Sequence, residues 1–393
     1  MWYKIQRRSG AVVNSFASAF TFLIVQCYKL LHISCIENVV VGCFKDMLSV
    51  TLNRVSEEPV VAPDAVPGYG AIFNAGVIHH DGILHLFARG VRDGYRRNGD
   101  DGPRFADYIS DILVFTSSNG IEYEFQQVLA RGSSDTVFSY EDPRVQRVHS
   151  DGREHIVMTY THFPDPSHGK LWQIGLDRLV FEGDRFVLHA DAGHIVGPPG
   201  YENKDAVVFN LDDGRVALIH RLHPDMQLAV FDSLDDLLRG GEDYWRSHLD
   251  ELDYHTILRP SPGALGIGAG APPVYTEHGL LLFFHERNAE GVYTMNLALL
   301  DHETGRISRK LTDPVLIPEL PWERWGDVDD VVFVGGAHRF SDGTIYLTYG
   351  AADRAVGAAT VHETDLLRAL LVSIGEDQLN PISLLERGDT GNS

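Results

Sequence analysis

From about Tyr69 onward one phrase recurs five times in this chain: small or polar residues, an apolar run, a tight turn ending in glycine, and a second apolar run. The turns are Asp81-Gly82, Asp151-Gly152, Asp213-Gly214, His278-Gly279 and Asp342-Gly343, and their glycines stand 70, 62, 65 and 64 residues apart. Asp-Gly between alternating apolar runs signals a β-hairpin, because glycine supplies the positive φ that a primed turn demands. The second strands are expected at 83–87, 155–158, 215–219, 280–284 and 344–347. Several are apolar on both faces, as strands packed between neighbouring sheets must be. A weaker pair of strands falls between the hairpins, for example at 112–116, 173–181 and 295–300. Four strands per unit and five units of roughly 65 residues predict an all-β, five-bladed β-propeller. A β-sandwich is the competing fold, and it leaves the even spacing without a cause. Only short helices are expected, at 234–238 and 363–371.

The length of 393 residues is enough for a large buried core. The net charge of −22 argues against nucleic acid or an anionic membrane as partner. All three cysteines, Cys27, Cys35 and Cys43, fall in the first 46 residues. The body therefore has no means of building a disulfide framework or a zinc-thiolate cluster, which suits a cytoplasmic setting. Residues 1–46 read as an N-terminal extension. Within it the mostly apolar run 11–31, interrupted by Asn14, Ser15, Ser18 and Gln26, has the length of a membrane anchor. A disordered or non-native stretch, the latter with translation starting at Met47, and a packed element are the alternatives. Residues 47–375 form the expected propeller, and 376–393 a frayed tail.

In a propeller the first strand of each blade lines the central channel, so the residues at its start converge on one mouth. Those positions hold Asn74, Glu141-Asp142, Asn203-Lys204-Asp205, Gly268-Ala269-Gly270 and 327–330. At the ends of the second strands stand Arg89, Arg221, His285 and Asp353. The stretch Phe138-Ser139-Tyr140-Glu141-Asp142-Pro143-Arg144 sets two carboxylates side by side where Pro143 forbids a helix. Adjacent side chains on extended backbone point to opposite faces, so only one of the pair is expected in the pocket. A solvated surface turn is the plain alternative. Two arginines, a lysine and a histidine around one axis suit an oxyanion, unless each is bridged to an acid of its own blade. One carboxylic acid facing an anion pocket is the equipment for breaking a glycosidic bond with phosphate.

Other chemistries fit less well. Gly266-Ile267-Gly268-Ala269-Gly270 resembles a nucleotide loop, but Ala271-Pro272-Pro273 follows where a helix should open. The histidines lack metal-ligand spacing, and His79, His80 and His85 read as hairpin surface. No Gly-x-Ser-x-Gly elbow occurs, and the body has no thiol nucleophile.

At these residues the chain resembles glycoside hydrolase family 130, the β-mannoside phosphorylases and their relatives. The likeness rests on Asn74-Ala75-Gly76-Val77, Glu141-Asp142-Pro143-Arg144, Asn203-Lys204-Asp205-Ala206, the run 268–273 with His285 after it, and Gly350-Ala351-Ala352-Asp353. The resemblance implies a five-bladed propeller with Asp142 as catalytic acid, acting through a hydroxyl of the bound mannosyl unit. It implies Arg89, Lys204, Arg221 and His285 as phosphate ligands, and Asn74, Asp205 and Asp353 as sugar contacts. Inorganic phosphate would be co-substrate to a β-mannoside oligosaccharide, with no metal or organic cofactor; a homo-oligomer is compatible. Many phosphorylases of the family carry a lysine two residues before the Gly-Ala-Gly run, where this chain has Gly266. Relatives that hydrolyse mannosides lack much of the basic set. A hydrolase would need a second carboxylate, for which Glu202, Glu277 and Asp329 are candidates. Three readings follow: an inverting β-mannoside phosphorylase, an inverting β-mannosidase, and a sugar-binding propeller with a vestigial acid.

Overall fold

The structure is a computed structural model that describes residues 50–98, 105–133, 137–164 and 171–372. The N-terminal extension 1–46, with its apolar run, and the tail 376–393 lie outside these residues. Among the described residues no helix is long and apolar enough to cross a membrane.

Five antiparallel sheets follow one another along the chain. The first blade comprises Tyr69–His80, Ile83–Arg92, Ser110–Ser117 and Glu124–Ala130. The second comprises Ser139–Ser150, Arg153–Phe163, Gln173–Glu182 and Arg185–Leu188, with His194–Val196 as an added edge. The third holds Lys204–Asn210, Val216–Leu222, Asp225–Phe231 and Thr256–Leu258. In the fourth, Gly266–Ala269 and Val274–Thr276 share the inner position, followed by Gly279–Arg287, Tyr293–Leu300 and Ile307–Lys310. The fifth takes Val332–Arg339, Thr344–Ala351 and Ala355–His362 from the end of the chain and its outer strand, Asn53–Arg54, from the beginning.

Each blade buries both faces, because its neighbours flank it. Phe87 and Val114 meet Val145 and Met158 between the first and second blades. Val157 and Leu176 meet Val208 and Leu218 between the second and third. Phe209 and Ile219 meet Leu280 and Leu282 across the next boundary, and Phe283 and Leu297 meet Val334 and Leu347 across the fourth. Tyr346 and Val356 of the fifth blade pack on Ile72 and Leu86 of the first. That last cluster closes the ring into the expected five-bladed propeller.

The hairpin turns depart from the expectation in type. Only Asp81-Gly82 and Asp151-Gly152 place both residues at positive φ, the primed form. At 213–214 and 342–343 glycine alone is left-handed, and an i to i+3 bond precedes it, from Gly214 N–H to the Leu211 carbonyl and from Gly343 N–H to that of Phe340. These are ordinary turns completed by a left-handed glycine, a longer loop that the dipeptide alone does not distinguish. The helices Leu234–Arg239 and Glu363–Val372 stand where expected. Glu242–Asp250, Leu252–His255 and Pro321–Arg324 were not anticipated. The buried residues of Glu242–Asp250 are Trp245 and His248, too polar a stripe for the apolar period to reveal. His85 is also corrected: it is buried against Phe181 and Phe186, and burial lowers its pKa to about 4.

Candidate active site

The inner strands of the first three blades break register at one equivalent place: between Phe73 and Gly76, between Glu141 and Arg144, and between Lys204 and Val207. At each break an Asn or Asp sits in left-handed backbone, Asn74 at φ 47°, Asp142 at φ 51° and Asp205 at φ 55°. These residue types tolerate that region best after glycine. A bulge of this kind re-aims side chains. Strict alternation therefore fails at 141–142, and the expectation that Glu141 and Asp142 face apart is overturned. Both carboxylates meet Arg89: Nη2 donates to Glu141 Oε1 at 2.7 Å and Nη1 to Asp142 Oδ1 at 3.3 Å. Asn74 Nδ2 donates to the same Asp142 oxygen at 2.7 Å.

All three Arg89 nitrogens donate, its Nε going to Ser110 Oγ at 3.2 Å. Its aromatic neighbours are Phe73 and Tyr108, at 5.0 and 5.4 Å from the guanidinium carbon. Burial works against its charge, yet Glu141 and Asp142 raise its pKa further still. For Glu141 burial dominates and pushes the pKa up, with Arg89 opposing. Asp353, itself left-handed at φ 52°, lies close enough to act on Arg89, Tyr108 and Tyr293.

A second cluster surrounds Asp205. Arg221 Nη1 lies 2.9 Å from its Oδ2, His285 Nε2 3.4 Å from the same oxygen, and Arg144 Nη2 3.2 Å from Oδ1. Burial alone would raise this carboxyl, but Arg221, His285 and Arg144 hold it well below the usual range. With its carboxylate engaged by three partners, Asp205 is a counter-ion to the arginines around it. Burial lowers His285 in spite of Asp205, so at neutral pH it is an N–H donor and not the cation expected. It stacks on Phe333 at 4.1 Å. The ion pairs of Arg89 and the contact of His285 with Asp205 run between blades, and the ion pair of Arg221 lies within its own.

Lys204 stands directly opposite Arg221 in the ladder, and its Nζ lies 4.3 Å from the Trp172 ring centroid. Arg221 is balanced there by Asp205, and Lys204 lies close enough to Glu141 to oppose the rise in that carboxyl's pKa. Sequence reasoning passed over Trp172, Tyr108 and Tyr293, and named Arg144 without giving it a role. Arg144 is 1% exposed and joins the clusters, donating to the carbonyls of Asp142, Ala269 and Gly270. Its place in the Glu141-Asp142-Pro143-Arg144 motif is the signal that pointed to it. Gly266 lies opposite Arg287, with open space where a side chain would begin. Of the candidate hydrolytic bases, Glu277 belongs to the hairpin turn at the far end of its blade, exposed and paired with His278. Glu202 is exposed, and Asp329 accepts from the Gly326 N–H at 3.2 Å.

The model of the family described as beta-1,4-mannooligosaccharide phosphorylase matches residues 50–371. The chain belongs to glycoside hydrolase family 130. A family 130 relative, the 1,2-beta-oligomannan phosphorylase of Thermoanaerobacter sp. (strain X514), is 29% identical over 328 residues, covering 81% of this chain and 99% of its own. Among solved structures, the β-1,2-mannobiose phosphorylase of Listeria innocua in complex with β-1,2-mannobiose superposes with a TM-score of 0.63 at 19% identity, over 82% of this chain and 99% of that one. The mannose phosphorylase MPT-4 of Leishmania mexicana, in complex with phosphate, gives 0.58 at 17% identity, over 81% and 91%. These likenesses agree with the family 130 propeller. The protein is thus an enzyme of a β-mannoside phosphorylase family.

Proposed function

We propose that this enzyme cleaves β-mannosides by inverting phosphorolysis, releasing mannose 1-phosphate and a shortened sugar. The observation that carries the reading is the pairing of Lys204 with Arg221 across one ladder, two cations on one face at the mouth that holds Asp142. Phosphate between them would accept from Lys204 and from the Arg221 donors that Asp205 leaves free. His285, neutral and buried with Nε2 facing Asp205, holds that counter-ion in place beside Arg221. Arg89 holds the acid pair and has further N–H groups on Nη1 and Nη2 for phosphate or sugar oxygens.

In this mechanism Asp142 supplies a proton, through a hydroxyl of the bound mannosyl unit, to the glycosidic oxygen. The bond from the anomeric carbon to that oxygen breaks as a phosphate oxygen attacks the opposite face. Inversion turns the β-mannoside into the α-phosphate. Asn74 keeps the Asp142 carboxyl aimed, and Asp353 serves the sugar hydroxyls. A hydrolase would need a base across the ring. Of the candidates, Glu277 lies in the hairpin turn at the far end of its blade and is not placed to serve.

β-1,2-Mannobiose is the first substrate to try, since curated relatives bear that linkage in their names. Turnover should require inorganic phosphate and yield mannose 1-phosphate. Free mannose formed equally well without phosphate would replace this reading with hydrolysis. Asp142→Asn should lower kcat by at least about a hundredfold, the usual contribution of general acid catalysis; a variant that kept sugar affinity and full turnover would remove Asp142 from the mechanism.

A further inference from the structure

Behind the Lys204–Arg221 pair lies a buried histidine chain that the reaction does not touch. His220, fully buried in the strand that carries Arg221, brings Nδ1 to 3.2 Å from Asn203 Oδ1 and Nε2 to 3.2 Å from His248 Nε2. His248, 2% exposed on the helix Glu242–Asp250, stacks in turn on His255 at 4.1 Å. Asn203 Oδ1 also accepts the backbone N–H of Arg221 at 3.2 Å. The atom facing that N–H must be an acceptor, which fixes the carboxamide orientation.

The rest of the chain follows by elimination. His220 Nδ1 faces an acceptor, so it carries the proton, and a neutral ring leaves Nε2 as a lone pair. His248 Nε2 must then carry its own proton, leaving its Nδ1 bare, and that atom is indeed buried without a partner. Burial and the neighbouring histidines keep His220 neutral, as the chain requires.

We propose that His220 and His248 are positioning residues for the anion site: locked in complementary tautomers, they hold Asn203 and thereby set Lys204 against Arg221. Asn203 sits one residue before Lys204 and bonds the main chain of Arg221, so the clamp ties together the two strands that carry the cations. The inference rests on the reading of Lys204 and Arg221 as phosphate ligands.

Two measurements test it. Proton–nitrogen correlation spectra of the full-length protein with 15N-labelled histidine should show His220 protonated at Nδ1 and His248 at Nε2; a His220 protonated at Nε2 overturns the clamp, whatever any variant does. Phosphate affinity, by calorimetry and as phosphate KM, is compared in two isosteric variants. His220→Gln keeps an amide near the Nε2 position but loses the donor to Asn203, and should weaken phosphate roughly five- to tenfold with kcat within about twofold, the effect of one lost hydrogen bond. His220→Asn keeps a donor near Nδ1 and should recover most of the affinity. Equal loss in both variants, or wild-type affinity in both, overturns the proposal. Should the wild-type enzyme turn over without phosphate, the phosphorolytic reading fails by itself, while the tautomers and the calorimetric comparison still judge the clamp.

Discussion

The backbone at the mouth is costly residue by residue. Asn74, Asp142, Asp205, Ala352 and Asp353 are all left-handed, and for alanine that conformation costs about 1–2 kcal/mol. Such strain persists only where the surroundings over-determine it, and it gathers at functional sites. Gly350 shows how tightly this mouth is drawn: a Cβ there would run into the Asn74 carboxamide and backbone nitrogen. Gly350→Ala is therefore expected to push Asn74 off Asp142 and lower kcat/KM by about ten- to a hundredfold, the order of a lost hydrogen bond to a charged group. Steady-state kinetics beside a thermal melt will check it; unchanged kinetics would mean that Asn74 does not aim the acid.

At the scale of elements, the ring depends on a two-residue strand. Asn53 and Arg54 pair with Thr360 and Ala359, completing the fifth blade with chain that precedes the first. Arg54 fixes this closure by gripping Glu323 with Nε and Nη2 at 2.7 and 2.8 Å, and by reaching Glu319 and the Ile317 carbonyl. The Glu323 side chain is fully buried and also accepts the Tyr349 hydroxyl at 2.8 Å. Removing one partner of a buried pair leaves an uncompensated charge, at about 3–5 kcal/mol. Arg54→Met should lose stability of that order in urea, and adding Glu323→Gln should return part of it. If both proteins unfold at the wild-type midpoint, the N-terminal strand is not the clasp of the ring.

For the whole molecule, acid sensitivity follows from four histidines that burial keeps neutral. Burial lowers His85, His248 and His338 to about 4 from an ordinary 6.5, and holds His220 well below that ordinary value. Each binds its proton more readily when unfolded, so its contribution is complete above about pH 6.5 and is lost as the pH falls through about 4. Asp205 behaves as a depressed carboxylate, with stability present above the usual carboxylate range and lost only as the pH drops well below it. The urea midpoint should therefore decline between pH 6.5 and 4, before most carboxylates titrate. His338→Gln or His85→Gln should flatten that decline; an unchanged slope in both would place the sensitivity elsewhere.

Read by itself, the sequence determined the architecture, because evenly spaced Asp-Gly turns and strands apolar on both faces admit few arrangements other than a ring of blades. It also marked the residues that meet at the mouth, since the start of every inner strand must point there. It did not reveal that Glu141 and Asp142 share one guanidinium, because a bulge cancels the alternation on which a strand is read. Nor did it reveal that Asp205 neutralises the cations around it, that His285 is uncharged, or that Arg144 and the His220–His248 pair stand behind them. Each of these is a property of burial and of partners distant in the chain, and neither exists until the chain has folded.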